Sequence, residues 1–128
     1  MSSAEATVVG SAFDIERGLQ QLIDRGYQFV HPTNELGEVQ AVVGVRVHDN
    51  VVDVVRLNAE DDVEAARLPG SEKDIFEPAA TLWRSRGEAG QVIREVLALP
   101  ERQPDAGPAA NGCWVPGRGG RSKWLAAR

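Results

Sequence analysis

The sequence predicts an α+β domain, in which two helices pack on an antiparallel sheet of three to five strands. Two valine-rich runs between residues 39 and 59 indicate strands, because β-branched side chains are stiff and suit a pleated surface. Around residues 12–25 and 86–98, apolar side chains instead recur every three or four positions, as they do on one face of an amphipathic helix.

The valine-rich stretch over residues 39–59 predicts a β-hairpin with Asp49 and Asn50 as its two-residue turn. Both residue types tolerate the left-handed backbone of tight turns. This loop length sets the register, in which Val47 faces Val52, Arg46 faces Asp53, Val45 faces Val54 and Val43 faces Arg56. We expect an ion pair between Arg46 and Asp53 on the polar side, worth about 0.2–1 kcal/mol.

The two faces of this hairpin differ in composition. One is apolar and consists of Val43, Val45, Val47, Val52 and Val54. The other carries Arg46 and Asp53 together with Val42, Val51, Val55 and Leu57. If the helices cover this second face, the protein is predicted to be a monomer. If they leave it open, the face favours self-association, since large exposed apolar patches mark interaction sites.

Three shorter segments complete the predicted domain. Residues 81–83 indicate a last strand, and Ser85 with Glu88 three positions later forms a capping box at the start of the second helix. Residues 63–68 fit a strand and a helical turn equally well.

The composition changes after Pro100 to Pro, Gly, Asp, Ala and Asn, residues that cannot bury a core. We therefore expect a disordered N-terminus over 1–10, a single domain over 11–100, and a flexible linker and tail over 101–128.

Composition and charge predict a small soluble protein of the cytoplasm. Hydrophobic residues make up 42% and charged residues 26%, and no apolar run approaches the roughly 20 residues that span a membrane. The N-terminus lacks the basic segment of a secretory signal, and the one cysteine, Cys113, excludes an internal disulfide. The net charge of −5 is uneven, because residues 112–128 carry four basic side chains and no acid, which leaves −9 elsewhere.

Motifs for catalysis or metal binding are absent from the sequence. His31, His48 and Cys113 have no zinc-site spacing, and both histidines occupy positions that are normally on the surface. A calcium loop beginning at Asn58 would need Gly and Glu where Val63 and Pro69 stand. Neither a nucleophile motif nor a phosphate-binding loop is present. We predict no catalytic residue, metal or cofactor, although two carboxylates that meet in a cleft would leave no sequence signal.

The tail contains the candidate binding residues, which are Trp114, Arg118, Arg121, Lys123 and Trp124. Arginines suit phosphate contacts, and tryptophans offer stacking surfaces for unpaired bases. The same residues suit a protein partner, docking onto the acidic body, or no role at all. We predict a non-catalytic accessory or regulatory module that binds another macromolecule, foremost a protein and including a second copy of itself. Nucleic-acid binding through the tail is the first alternative, and a small enzyme with a carboxylate site is the second.

Overall fold

A computed structural model of the chain describes residues 16–31, 33–38, 41–72, 75, 78, 80–101, 103, 107, 112–116 and 121–126. The main antiparallel sheet contains, in spatial order, β1 (Gln28–Val30), β2 (Val42–His48), β3 (Val51–Ala59), β4 (Asp62–Pro69) and β5 (Trp83–Gly87). Two further strands, β6 (Gly112–Pro116) and β7 (Ser122–Ala126), pair with each other in an antiparallel hairpin. The helices are α1, described over 16–25, and α2 (Ala89–Leu97). The predicted α+β class, with an antiparallel sheet and two helices, is confirmed.

The register predicted for the central hairpin is confirmed. Strands β2 and β3 pair Val47 with Val52, Arg46 with Asp53, Val45 with Val54 and Val43 with Arg56. Asp49 has a φ of 48°, the left-handed conformation that the two-residue turn requires.

The second face of the hairpin is covered by helices. Side chains of α1 and α2, including Leu22, Val92 and Ile93, cluster with Val55, Val63 and Ala65 of the sheet. Val51 and Val55 are fully buried. The second face is therefore covered by helices rather than left open.

The opposite, valine-lined face is covered by the C-terminal hairpin. Cys113, Val115 and Leu125 form one core cluster with Val43, Val45, Val47, Val52 and Val54, and all three hairpin side chains are buried. Residues 112–116 and 121–126, in the segment whose composition predicted a flexible tail, are therefore strands packed on the sheet. These residues supply apolar cover that helices packed on a single face cannot provide, while residues 1–10 lie outside the described part of the chain.

The second helix starts later than its capping box predicted. Ser85 lies inside β5, opposite Ala65 of β4, and Glu88 is the N-cap residue without a side-chain capping bond. The Ser85 hydroxyl instead donates a hydrogen bond to Glu95 of α2. The strand predicted over 81–83 is β5, which runs over Trp83–Gly87, because pairing along β4 outweighs a local helix cap. The ambiguous segment 63–68 is strand β4.

Candidate functional site

The C-terminal hairpin exposes a pair of tryptophans on its outer side. Trp114 and Trp124 are cross-strand partners, and their side chains point away from the core that Cys113 and Leu125 enter, since side chains alternate along a strand. The two rings pack edge to face, with centroids 5.3 Å apart and planes inclined by 70°. They remain 47% and 40% exposed, respectively.

Glycine at position 112 makes room for this pair. A Cβ atom added to Gly112 would lie 2.6 Å from the ring of Trp124, closer than side chains approach one another. The backbone of β6 therefore supports the ring of Trp124 directly, and the aromatic pair rests on a fixed strand rather than on a loop.

Basic side chains accompany the tryptophans. Arg121 lies just before β7 and Lys123 lies on it, and both side chains are exposed. We call the exposed pair Trp114 and Trp124 the tryptophan face. Lys123 is the cross-strand partner of Val115, so its side chain leaves the strand on the opposite side of the hairpin, where it is exposed. The structure thus brings four of the five predicted binding residues together on one hairpin, while Arg118 lies outside the described residues.

A second group of polar residues, which was not predicted, is buried on the face of the sheet that the helices pack against. Asp53 is only 2% exposed and accepts hydrogen bonds from Arg67, with Nε–Oδ1 and Nη2–Oδ2 distances of 2.7 and 2.9 Å. His48 Nε2 lies 2.7 Å from Asp53 Oδ2. His48 is 4% exposed, so the expectation of a surface histidine is wrong. Its place on the helix-covered face explains the burial.

The predicted ion pair between Arg46 and Asp53 is also wrong, although the two residues are cross-strand neighbours. Arg67 on the other neighbouring strand takes both oxygens of Asp53. Arg46 Nη1 instead lies 2.8 Å from Glu101 Oε2, and Arg25 Nη1 lies 3.2 Å from Glu101 Oε1.

The segment that follows α2 closes over this group. Arg67 Nη1 donates a hydrogen bond to the carbonyl of Pro100, and Glu101 pairs with two arginines. The Asn50 side chain hydrogen-bonds both the N–H and the carbonyl of Gln103. At these positions the chain is anchored to the domain, although the composition from 101 onward predicted a flexible linker.

The electrostatics of the buried group favour fixed charges over proton transfer. Burial alone would raise the pKa of Asp53, but hydrogen bonds from Arg67 and His48 outweigh it and lower that pKa. Burial would lower the pKa of Arg67, which the Asp53 carboxylate raises instead. Burial, followed by the charge of Asp53, raises the pKa of the Tyr27 hydroxyl. The pair therefore stays ionised at neutral pH, and Asp53 is a poor candidate for a general acid.

A cleft of about 330 Å³ lies on the valine-lined side of the sheet, near Val54 and Leu68. Arg56, Arg84 and Arg86 line it, and Glu64 is the one acidic residue among the described lining residues. Arg86 is paired with Asp62, at an Nε–Oδ1 distance of 3.0 Å. The cleft does not combine two acids in its described lining, which is what a carboxylate enzyme would need.

No protein-family model matches the chain, and comparisons with curated proteins and with solved structures find no significant match either. In the described part of the chain, neither helix has the length and apolar character needed to cross a membrane.

The tryptophan face was accessible to sequence reasoning because its residues are close together in the chain. The buried group was not, since its members come from positions between 25 and 101 that only the folded sheet brings together.

Proposed function

We propose that this protein is a non-catalytic binding module that recognises another protein through the tryptophan face. The observation that carries the proposal is the exposed pair Trp114–Trp124 on a hairpin whose inner side is packed into the core. Tryptophan and arginine are the residues most enriched among those that dominate binding energy at protein interfaces.

The docked hairpin lowers the entropic cost of binding. Trp114 and Trp124 pack edge to face on each other. Cys113, Val115 and Leu125 anchor the two strands that carry them to the core. A surface that is already ordered loses less conformational freedom when a partner binds. Trp114 and Trp124 are 47% and 40% exposed, so burial of their apolar surface on binding is favourable.

The charges define the complementary partner surface. Arg121 and Lys123 are exposed on the same hairpin as the rings, so the partner is expected to present an apolar groove with acidic residues at its rim. Nucleic acid suits the face less well, because the chain carries a net charge of −5 and repels phosphate at a distance.

The test uses point substitutions rather than deletion of the tail. Deletion would remove Cys113, Val115 and Leu125 from the core and confound binding with unfolding. We would replace both Trp114 and Trp124 with Ser, and use Leu36→Ser as the matched control, since Leu36 is 84% exposed elsewhere on the surface. Circular dichroism would confirm that both variants fold.

Affinity capture from nuclease-treated native extract should recover a protein that binds wild type and the Leu36→Ser variant but not the double tryptophan variant. Its purified complex should weaken with rising salt and on Lys123→Glu substitution. Self-association would appear in light scattering as a dimer that the double variant loses. Equal capture by all three proteins would refute the proposal. Salt-sensitive binding of a single-stranded oligonucleotide, lost in the double variant while no protein is captured, would establish the nucleic-acid alternative instead.

A further inference from the structure

We infer that His48, Asp49 and Glu101 form a binding site for a divalent transition-metal ion such as Zn²⁺. One ligand atom from each of the three residues lies within 4.8 Å of the other two. An imidazole nitrogen with two carboxylate oxygens is a donor set that zinc accepts, whereas Mg²⁺ and Ca²⁺ prefer oxygen alone. The site shares no residue with the tryptophan face, and its test is independent of that proposal.

The two distances from His48 Nδ1 are close to the spacing of metal ligands. Bonds of about 2.0–2.2 Å to zinc place neighbouring atoms of a tetrahedron roughly 3.3–3.6 Å apart. His48 Nδ1 lies 3.0 Å from Asp49 Oδ2 and 3.4 Å from Glu101 Oε2. An ion could therefore be accepted with small movements of the two carboxylates, which are 43% and 49% exposed, and a water could complete the coordination.

A buried carboxylate already fixes the orientation of His48. The Nε2–H group of His48 donates to Asp53 Oδ2 at 2.7 Å, and Arg67 holds both oxygens of Asp53 in place. Histidines that bind metals commonly donate their second N–H group to a carboxylate in this way. Because Nε2 faces Asp53, Nδ1 is the ring nitrogen that faces Asp49 and Glu101, and an ion bound there would take the place of any proton on Nδ1.

An ion would compete with Arg46 for one of the carboxylate oxygens of this site. Arg46 Nη1 lies 2.8 Å from Glu101 Oε2, the same oxygen that faces His48 Nδ1. A metal ion on this oxygen must share it with Arg46 or displace that side chain. Arg46→Gln should therefore strengthen metal binding, whereas a group that only forms ion pairs would bind no metal in either form.

A bound ion would connect two distant parts of the chain. Asp49 lies in the turn between β2 and β3, and Glu101 lies in the segment that follows α2. Because binding to the folded state alone stabilises it, the ion would raise the free energy of unfolding of the whole domain.

Isothermal titration of the metal-free full-length protein with Zn²⁺ tests the site. We expect one ion per chain, and at least tenfold weaker binding in Asp49→Asn and Glu101→Gln. Both positions are exposed, and Asn tolerates the φ of 48° at position 49, so these variants should fold. Asp61→Asn removes an exposed acid from the next turn along the chain, at the other end of β3, and should leave binding unchanged.

Nuclear magnetic resonance of the imidazole nitrogens adds a readout that a nonspecific surface site would not give. Zn²⁺ should shift the ¹⁵N signal of His48 Nδ1 and leave Nε2 protonated. Absence of Zn²⁺ binding, equal affinity of the Asp49→Asn and Glu101→Gln variants to wild type, or a response confined to His31 would each overturn the inference.

Discussion

Replacement of Arg67 by Met should be among the most damaging single substitutions in this protein. The change keeps an unbranched apolar stem but removes the guanidinium group that binds both oxygens of Asp53. Asp53 is 2% exposed, so water cannot take the place of Arg67. The variant would leave a buried carboxylate with His48 as its remaining partner.

The expected loss is large compared with the stability of the domain. Removal of one partner from a buried ion pair costs about 3–5 kcal/mol, because the other charge stays desolvated. Domains of this size unfold with about 5–15 kcal/mol, so the variant should retain a fold with a much reduced margin. Arg67 also donates to the Pro100 carbonyl, and its loss should loosen the segment after α2.

Urea denaturation at neutral pH measures this loss, and Arg86→Met supplies the control. Arg86 also pairs with an acid across strands, at 3.0 Å from Asp62, but its side chain is 64% exposed. Water screens such a pair, so Arg86→Met should leave the free energy of unfolding close to that of wild type.

A double-mutant cycle with Asp53→Asn separates the ion pair from simple loss of packing. Once Asp53 has lost its charge, the further substitution Arg67→Met should cost much less than it does alone, since a pair in contact is strongly coupled. Additive costs, or a loss for Arg67→Met no greater than that for Arg86→Met, would refute the view that this buried pair matters to stability.

Three further predictions concern the acid response and the C-terminal hairpin. The pKa of Asp53 is lowered, so its contribution to stability is complete above the unfolded value of 3.8 and is lost as the pH falls below it. The difference in unfolding free energy between wild type and Arg67→Met should therefore shrink in acid denaturation curves. A difference that stays constant with pH would contradict this. Leu125→Ala should lower the free energy of unfolding by about 2–5 kcal/mol in urea denaturation, because Leu125 is buried against the valine-lined face; a cost near zero would mean that the hairpin is not docked. The fully buried thiol of Cys113 should react slowly with a thiol reagent in native protein and rapidly in Leu125→Ala, as followed by mass spectrometry, and fast reaction in wild type would argue against the packing of this hairpin.

The central hairpin could be predicted in register because its signals are local. Two valine-rich runs alternate about a turn of Asp49 and Asn50, and a shift of one residue would mix apolar and polar faces. The same argument did not extend to the next strand. A two-residue turn at residues 60–61 pairs Ala59 with Asp62, but an irregularity between Leu57 and Ala59 moves every later pair by one residue.

This irregularity determines the partner of Asp53. Without the shift, Leu68 would stand opposite Asp53; with it, Arg67 does. No residue type in the turn marks the extra position, so the buried ion pair depends on a feature that sequence periodicity cannot reveal. The start of α2 is a similar case, because Ser85 could cap a helix or pair with Ala65, and only the assembled sheet selects the second.

The charge asymmetry of the chain also acquires a different meaning in the structure. A basic tail on an acidic body favours docking by opposite charges, yet the side of the hairpin that packs on the sheet presents Cys113, Val115 and Leu125. Apolar burial therefore holds the hairpin in place, and Arg121 and Lys123 remain exposed on it. Reversing the charge of Lys123 should consequently leave the domain folded. A change in binding caused by that substitution can then be attributed to a lost contact with the partner. The hairpin surface is therefore testable without disturbing the core beneath it.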